Sequence, residues 1–139
     1  MAARNINVYG NIDFQFGNNN NNNAIEVING AGTIHKFNFY GDTIFSGAST
    51  ILFNRVQNNK ADLYFRNSGR TVITEGTGTF SLNRLFLLKD AVTDTVYFRN
   101  NFTLNESGNN TANKSLNLAV GILVLSDTGN SQPVTINLN

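Results

Sequence analysis

The sequence predicts an all-β chain, a parallel β-helix (β-solenoid) with about 18–20 residues per turn. It covers residues 1–139 as one repetitive domain. Three observations carry this. Short runs of alternating apolar and polar residues occur along the chain, broken by Gly, Asn or Asp. No window holds apolar residues at the helical period. The runs also recur at a nearly constant interval, as in repeat architectures.

The runs, in order, begin with Ile12, Phe14 and Phe16 alternating with polar neighbours. Ile25 and Val27 follow, then Phe37 and Phe39, with Gly41-Asp42 as a turn. Ile44 opens the next run, and Ile51 and Phe53 another. Leu63 and Phe65 precede the turn Asn67-Ser68-Gly69, and Val72 and Thr74 come after it. Phe80 and Leu82 lead into Leu85 to Leu88. Val96 and Phe98, Phe102 and Leu104, Leu116 and Leu118, Ile122 to Leu125, and Val134, Ile136 and Leu138 complete the series. β-branched and aromatic residues suit a pleated, half-buried surface.

Run starts fall at Ile25, Ile44, Leu63, Phe80, Val96, Leu116 and Val134. Their near-even spacing sets the expected turn length. One turn of short strands cannot bury its apolar face alone, whereas stacked turns join inward Ile, Leu, Val and Phe into one core. Corners need residues that tolerate positive φ, and Gly and Asn supply them. Asn side chains can also form hydrogen-bonded ladders from turn to turn. An antiparallel β-sandwich or jelly roll is the alternative, since many short strands at regular spacing fit it too.

Composition narrows the function classes. The 139 residues suffice for one core. Charged residues are 14%, against about 25% in an ordinary soluble domain. Asn, 26 in number, fills the polar quota. Net charge is +1, and no basic stripe is present to bind nucleic acid or anionic lipid. No cysteine is present, which excludes disulfides, thiol nucleophiles and cysteine-ligated zinc. No apolar stretch has the length of a signal peptide or a membrane span, so no membrane insertion is expected.

Asn18–Asn23 is read as an Asn-rich loop at one corner, and Asn105 to Lys114 as a second long polar corner. Gly76-Thr77-Gly78-Thr79 sits between strands, so it reads as a corner and not as a phosphate loop. His35 is the only histidine, which leaves a triad or histidine metal site without partners. Asp90 and Asp94 flank an apparent corner, where carboxylates cap turns. Tyr9, Tyr40, Tyr64 and Tyr97 are candidates for stacking on sugars or on neighbouring strands. The sequons at Asn101, Asn105, Asn109 and Asn113 reflect an Asn-rich composition.

Two segments resemble a known class. Thr79-Phe80-Ser81-Leu82-Asn83-Arg84-Leu85 and Ser115-Leu116-Asn117-Leu118-Ala119-Val120-Gly121-Ile122-Leu123-Val124-Leu125 flank Val96-Tyr97-Phe98-Arg99-Asn100-Asn101-Phe102-Thr103-Leu104. Together they are similar to repeat segments of very large secreted surface proteins of Bacteroidota, over about residues 70–127. The resemblance implies a parallel β-helix stalk or adhesin module exported by the type IX route, at the cell surface or outside the cell. The chain has neither an export signal nor a sorting domain of that class, so a fragment or single module is expected. The resemblance also implies O-glycosylation at Asp-Ser/Thr motifs, which Thr43 in Asp42-Thr43-Ile44 and Thr95 in Asp94-Thr95-Val96 match.

The expected function is a non-catalytic structural or adhesive module without cofactor or metal. Its expected partners are neighbouring repeats or copies of itself end to end, and surface glycans. A capsid-type sandwich and a carbohydrate-binding module are the alternatives.

Overall fold

The computed structural model of the chain describes residues 4–15, 24–26, 34–46, 50–52, 60–74, 80–99, 102–104, 116–125 and 136–138. Among them there are strands and turns and no helix. Asn18–Asn23, Gly76 to Thr79, Asn105 to Lys114 and Val134 lie outside the described residues.

The strands form three five-stranded sheets. Sheet A has the order β1 (Asn5–Val8), β4 (Ile34–Phe39), β7 (Lys60–Phe65), β10 (Arg84–Leu88), β13 (Leu116–Val120). Sheet B runs β2 (Ile12–Gln15), β5 (Thr43–Ser46), β8 (Arg70–Thr74), β11 (Thr95–Phe98), β14 (Ile122–Leu125). Sheet C runs β3 (Ala24–Glu26), β6 (Thr50–Leu52), β9 (Phe80–Leu82), β12 (Phe102–Leu104), β15 (Ile136–Leu138). The chain visits A, B and C in rotation, so three consecutive strands, termed a circuit, contribute one strand to each sheet. Each strand pairs with the strand three places along the chain.

Every pairing among the described residues is parallel. That overturns the antiparallel sandwich or jelly roll, whose hairpins would pair consecutive strands. The expected turn length is also corrected, because one circuit is longer than the sequence spacing suggests and is not constant. Asn11 and Asp42, bonded between neighbouring circuits, are 31 residues apart, and Asp62 and Arg84 are 22 residues apart. Connections of unequal length join strands of similar length, so the pairing interval varies while the sheets stay regular.

Parallel register places like residues above one another. Ile6, Phe37, Leu63, Leu85 and Leu116 form one column on sheet A, and Val8, Phe39, Phe65, Leu87 and Leu118 a second. On sheet B, Ile12, Thr43, Ile73, Phe98 and Leu125 form a third. The core cluster draws Phe39, Leu63, Phe65, Leu85 and Leu87 from A, Ile73, Val96 and Phe98 from B, and Leu82 and Leu104 from C. Phe39 and Phe65 stack at 5.6 Å, and Phe65 meets Phe98 edge-on at 6.1 Å. Burial is complete in the middle circuits and falls at the outer ones. Leu63 and Leu87 are 0% exposed, while Ile6 is 39% and Leu118 50% exposed.

The corner between sheets A and B requires special backbone. Asn67 and Gly69 adopt φ of 73° and 81°, the left-handed region that Asn and Gly enter most readily. At Gly41, a Cβ would lie 2.7 Å from the Gly10 backbone, so the two corners pack at a distance only glycine allows. Gly121, at φ 113°, follows a register shift after Leu87↔Leu118 that leaves Ala119 as the extra residue.

Candidate functional site

Three polar assemblies stand out on this frame. The first lies on the outer face of sheet A. Register aligns Asn5, Lys36, Asp62 and Arg84 in one outward row, and Asn7, Asn38, Tyr64, Phe86 and Asn117 in the next. Asp62 is 0% exposed. Arg84 holds it with a two-pronged contact, Nε to Oδ1 at 3.0 Å and Nη2 to Oδ2 at 2.5 Å. Asn83 Nδ2 donates to the same Oδ1 at 2.7 Å. Tyr64 and Phe86 stack at 4.4 Å, with Lys36 and Arg66 over the tyrosine ring and Arg84 over the phenylalanine. Burial first, then the Asp62 charge, raises the Tyr64 pKa above 10.0.

The second assembly is the A–B corner. Lys89 turns inward and is buried, and its Nζ donates to Arg66 O and Thr71 Oγ1, both at 2.9 Å. Gly121 makes this possible, since a Cβ there would lie 2.8 Å from Lys89 Cγ. Burial lowers the Lys89 pKa below 10.5, against the opposing pull of Asp94, Asp90 and Asp42. Asp94 caps the turn, with Oδ2 accepting from the Ala91 N–H at 2.8 Å. Backbone donation, chiefly from Gly69, lowers its pKa. Neighbouring circuits are joined here by side chains. The Asp42 N–H donates to Asn11 Oδ1, Asn67 Nδ2 to Tyr40 O, and the Val72 N–H to Asp42 Oδ1.

The third assembly is a groove of about 370 Å³ on the outer face of sheet B. Asp42, Ile44, Arg70, Val72 and Arg99 line it. Arg70 lies over the Tyr97 ring at 5.0 Å, and Arg99 Nε is shielded from water without an acceptor.

The structure places those residues singled out in the sequence that are described, and Asn101 lies outside them. Thr43 is 0% exposed in an inward column, and its hydroxyl has no partner. Thr95 is half-buried, in register with Arg70 and Ile122. The two threonines belong to separate strands and form no joint site. His35 is buried, and its Nδ1 accepts from the Arg4 N–H at 3.1 Å. Tyr9 stacks on Tyr40 at 4.8 Å, so the tyrosines with described rings lie against neighbours. The expected Asn ladder is replaced at Asn38, whose Oδ1 accepts from Arg66 Nε at 2.7 Å. Among the described residues, no group of three or more His, Cys, Asp and Glu gathers around a point.

Sequence reasoning missed Asp62, Lys89 and Arg99. Each carries one charge in an ordinary strand or corner, and only the register shows what it faces. Comparison with protein-family models, curated proteins and solved structures finds no match.

Proposed function

We propose that the chain is a three-faced β-solenoid whose function is structural and adhesive, a stiff non-catalytic module of a surface stalk or filament. The supporting observation is the rotation through three parallel sheets, with inward columns running from β1 to β13 and from β2 to β14. Each circuit supplies hydrogen-bond partners and an apolar layer to the next, so the natural way to extend the structure is by adding circuits. Corner side chains bond from circuit to circuit, which resists bending and twisting there.

Five circuits at about 4.8 Å make a stack of about 24 Å, so one chain supplies a short prism and not a rod. Length comes from stacking. The outer circuits are suited to it, since Leu118, Ile122 and Leu125 at one end and Ile6 and Tyr9 at the other are exposed. Their strands also carry backbone donors and acceptors with no further strand beside them among the described residues. Neighbouring repeats, or copies of this chain placed head to tail, would cover both. The similarity of residues 70–127 to Bacteroidota surface repeats fits such a stalk at the cell surface.

Electron microscopy of the purified chain, together with light scattering over a range of concentrations, tests the reading. The expected result is end-to-end particles of constant width whose length grows with concentration. Closed shells, or compact monomers at every concentration, would count against it. Substituting Leu118 and Ile122 with Lys should shorten the particles without unfolding the chain.

A further inference from the structure

We propose that the groove on sheet B binds an acidic polysaccharide, one sugar carboxylate at each arginine. The inference gives the adhesive part of the proposed function its ligand and rests on that reading. The groove itself needs only β5, β8 and β11.

Arg70 opens β8, and Arg99 directly follows β11. Arg70 is in register with Thr95, so Arg99 stands one strand over and four residues along. At about 3.3 Å per residue and 4.8 Å per strand, the two Cα atoms are about 14 Å apart. Both side chains line the one groove, so a ligand seated in it meets two cations. An extended molecule with repeated acidic groups reaches both.

Arg99 has a specific need for an anion. Its Nε is out of water and bonded to nothing, so the guanidinium is incompletely solvated. A carboxylate on its outer nitrogens would return the lost stabilisation, with the forked geometry that suits this pair. Arg70 is exposed and lies over Tyr97, which holds the side chain at the groove without consuming its hydrogen bonds.

Between the arginines the surface changes character. Ile44 and Val72 are apolar, and Asp42 contributes a carboxylate whose Oδ1 is engaged by the Val72 N–H. Oδ2 is left to accept from a hydroxyl. A sugar ring offers matching chemistry, with an apolar C–H face for Ile44 and Val72, hydroxyls for Asp42 and an acidic substituent for the guanidinium. A densely charged polyanion would meet the Asp42 charge. Oligoglutamate would lack the hydroxyl, and on a sheet face it would find no strand edge to pair with. The volume is at the lower end of the roughly 300–1,000 Å³ of small-ligand sites, which suits one or two rings seated along a chain.

The test titrates the whole chain with oligogalacturonate, followed by calorimetry and amide chemical shifts. Neutral xylo-oligosaccharide, polyphosphate and oligoglutamate are the comparison probes. The expected result is binding of the uronate alone, with shifts centred on β5, β8 and β11. Arg70→Gln and Arg99→Gln should each weaken it about tenfold. Arg70→Gln, at an exposed position, keeps the test valid if the Arg99 variant folds poorly, and thermal melts check both. No binding, binding indifferent to both substitutions, or equal binding of polyphosphate or oligoglutamate would overturn the proposal. None of these outcomes bears on stacking, which microscopy reads separately.

Discussion

Asp62 is a costly residue to place in this structure. A carboxylate at 0% exposure survives only because Arg84 and Asn83 replace the water it lost. Removing the acid alone would take away the acceptor that Arg84 and Asn83 share. Asp62→Ala should therefore destabilise the chain by about 3–5 kcal/mol, read by chemical denaturation. Asp62→Leu combined with Arg84→Met should cost clearly less than Asp62→Ala, because the cation that faced the acid is removed with it and apolar volume replaces both. Thr43 presents the opposite case. Its hydroxyl is buried without a partner in a column of Ile12, Ile73, Phe98 and Leu125. Thr43→Val should stabilise by about 1 kcal/mol, seen as a raised melting temperature. In the sequence Asp62 only precedes the run at Leu63, and Thr43 stands out only through the Asp42-Thr43-Ile44 motif. Asp62 meets a partner 22 residues away, and the apolar column around Thr43 draws on four other strands, so neither environment could be read without the register.

The strands and the A–B corner define the element scale. Lys89 is the corner's buried cation, and removing it should cost about 1–3 kcal/mol through the acceptors it leaves on Arg66 and Thr71. Its pH signature is specific. With the folded pKa lowered, the unfolded chain holds more protons between that value and the ordinary 10.5, so stability rises with pH through the window. Tyr64 has the opposite sign, since its raised pKa makes stability fall as pH climbs above 10.0. In a Tyr64→Phe background, stability at alkaline pH should rise more steeply with Lys89 than with Lys89→Met, read by denaturation curves. At this scale much was legible. Asn67-Ser68-Gly69 was readable as a turn because few other residues accept its φ values, and the alternating runs from Ile12 onward fall in strands β2 to β15 where they are described. The first strand, Asn5–Val8, was missed, since four residues with two apolar ones form too short a run to stand apart.

For the whole molecule, parallel stacking was legible and its period was not. The series Ile25, Ile44, Leu63, Phe80, Val96 and Leu116 falls in β3, β5, β7, β9, β11 and β13. It skips alternate strands, so each step covers two strands of a three-strand circuit. The regularity was genuine, but it moved from sheet C to B to A instead of returning to one sheet. Unequal corners hid the true interval, because Asn11 and Asp42 are 31 residues apart and Asp62 and Arg84 are 22 residues apart. The groove was invisible for the same reason, since Asp42, Arg70 and Arg99 meet only after three circuits are aligned.

The central claim is that each strand lies beside the strand three places on, in parallel, with columns of matched side chains. Nuclear Overhauser contacts on the labelled chain test it most directly. The account predicts ring-to-ring contacts for Phe39 with Phe65 and Tyr64 with Phe86, and amide contacts in parallel register between β4, β7 and β10. Close Hα–Hα contacts between consecutive strands, the mark of antiparallel hairpins, would contradict it.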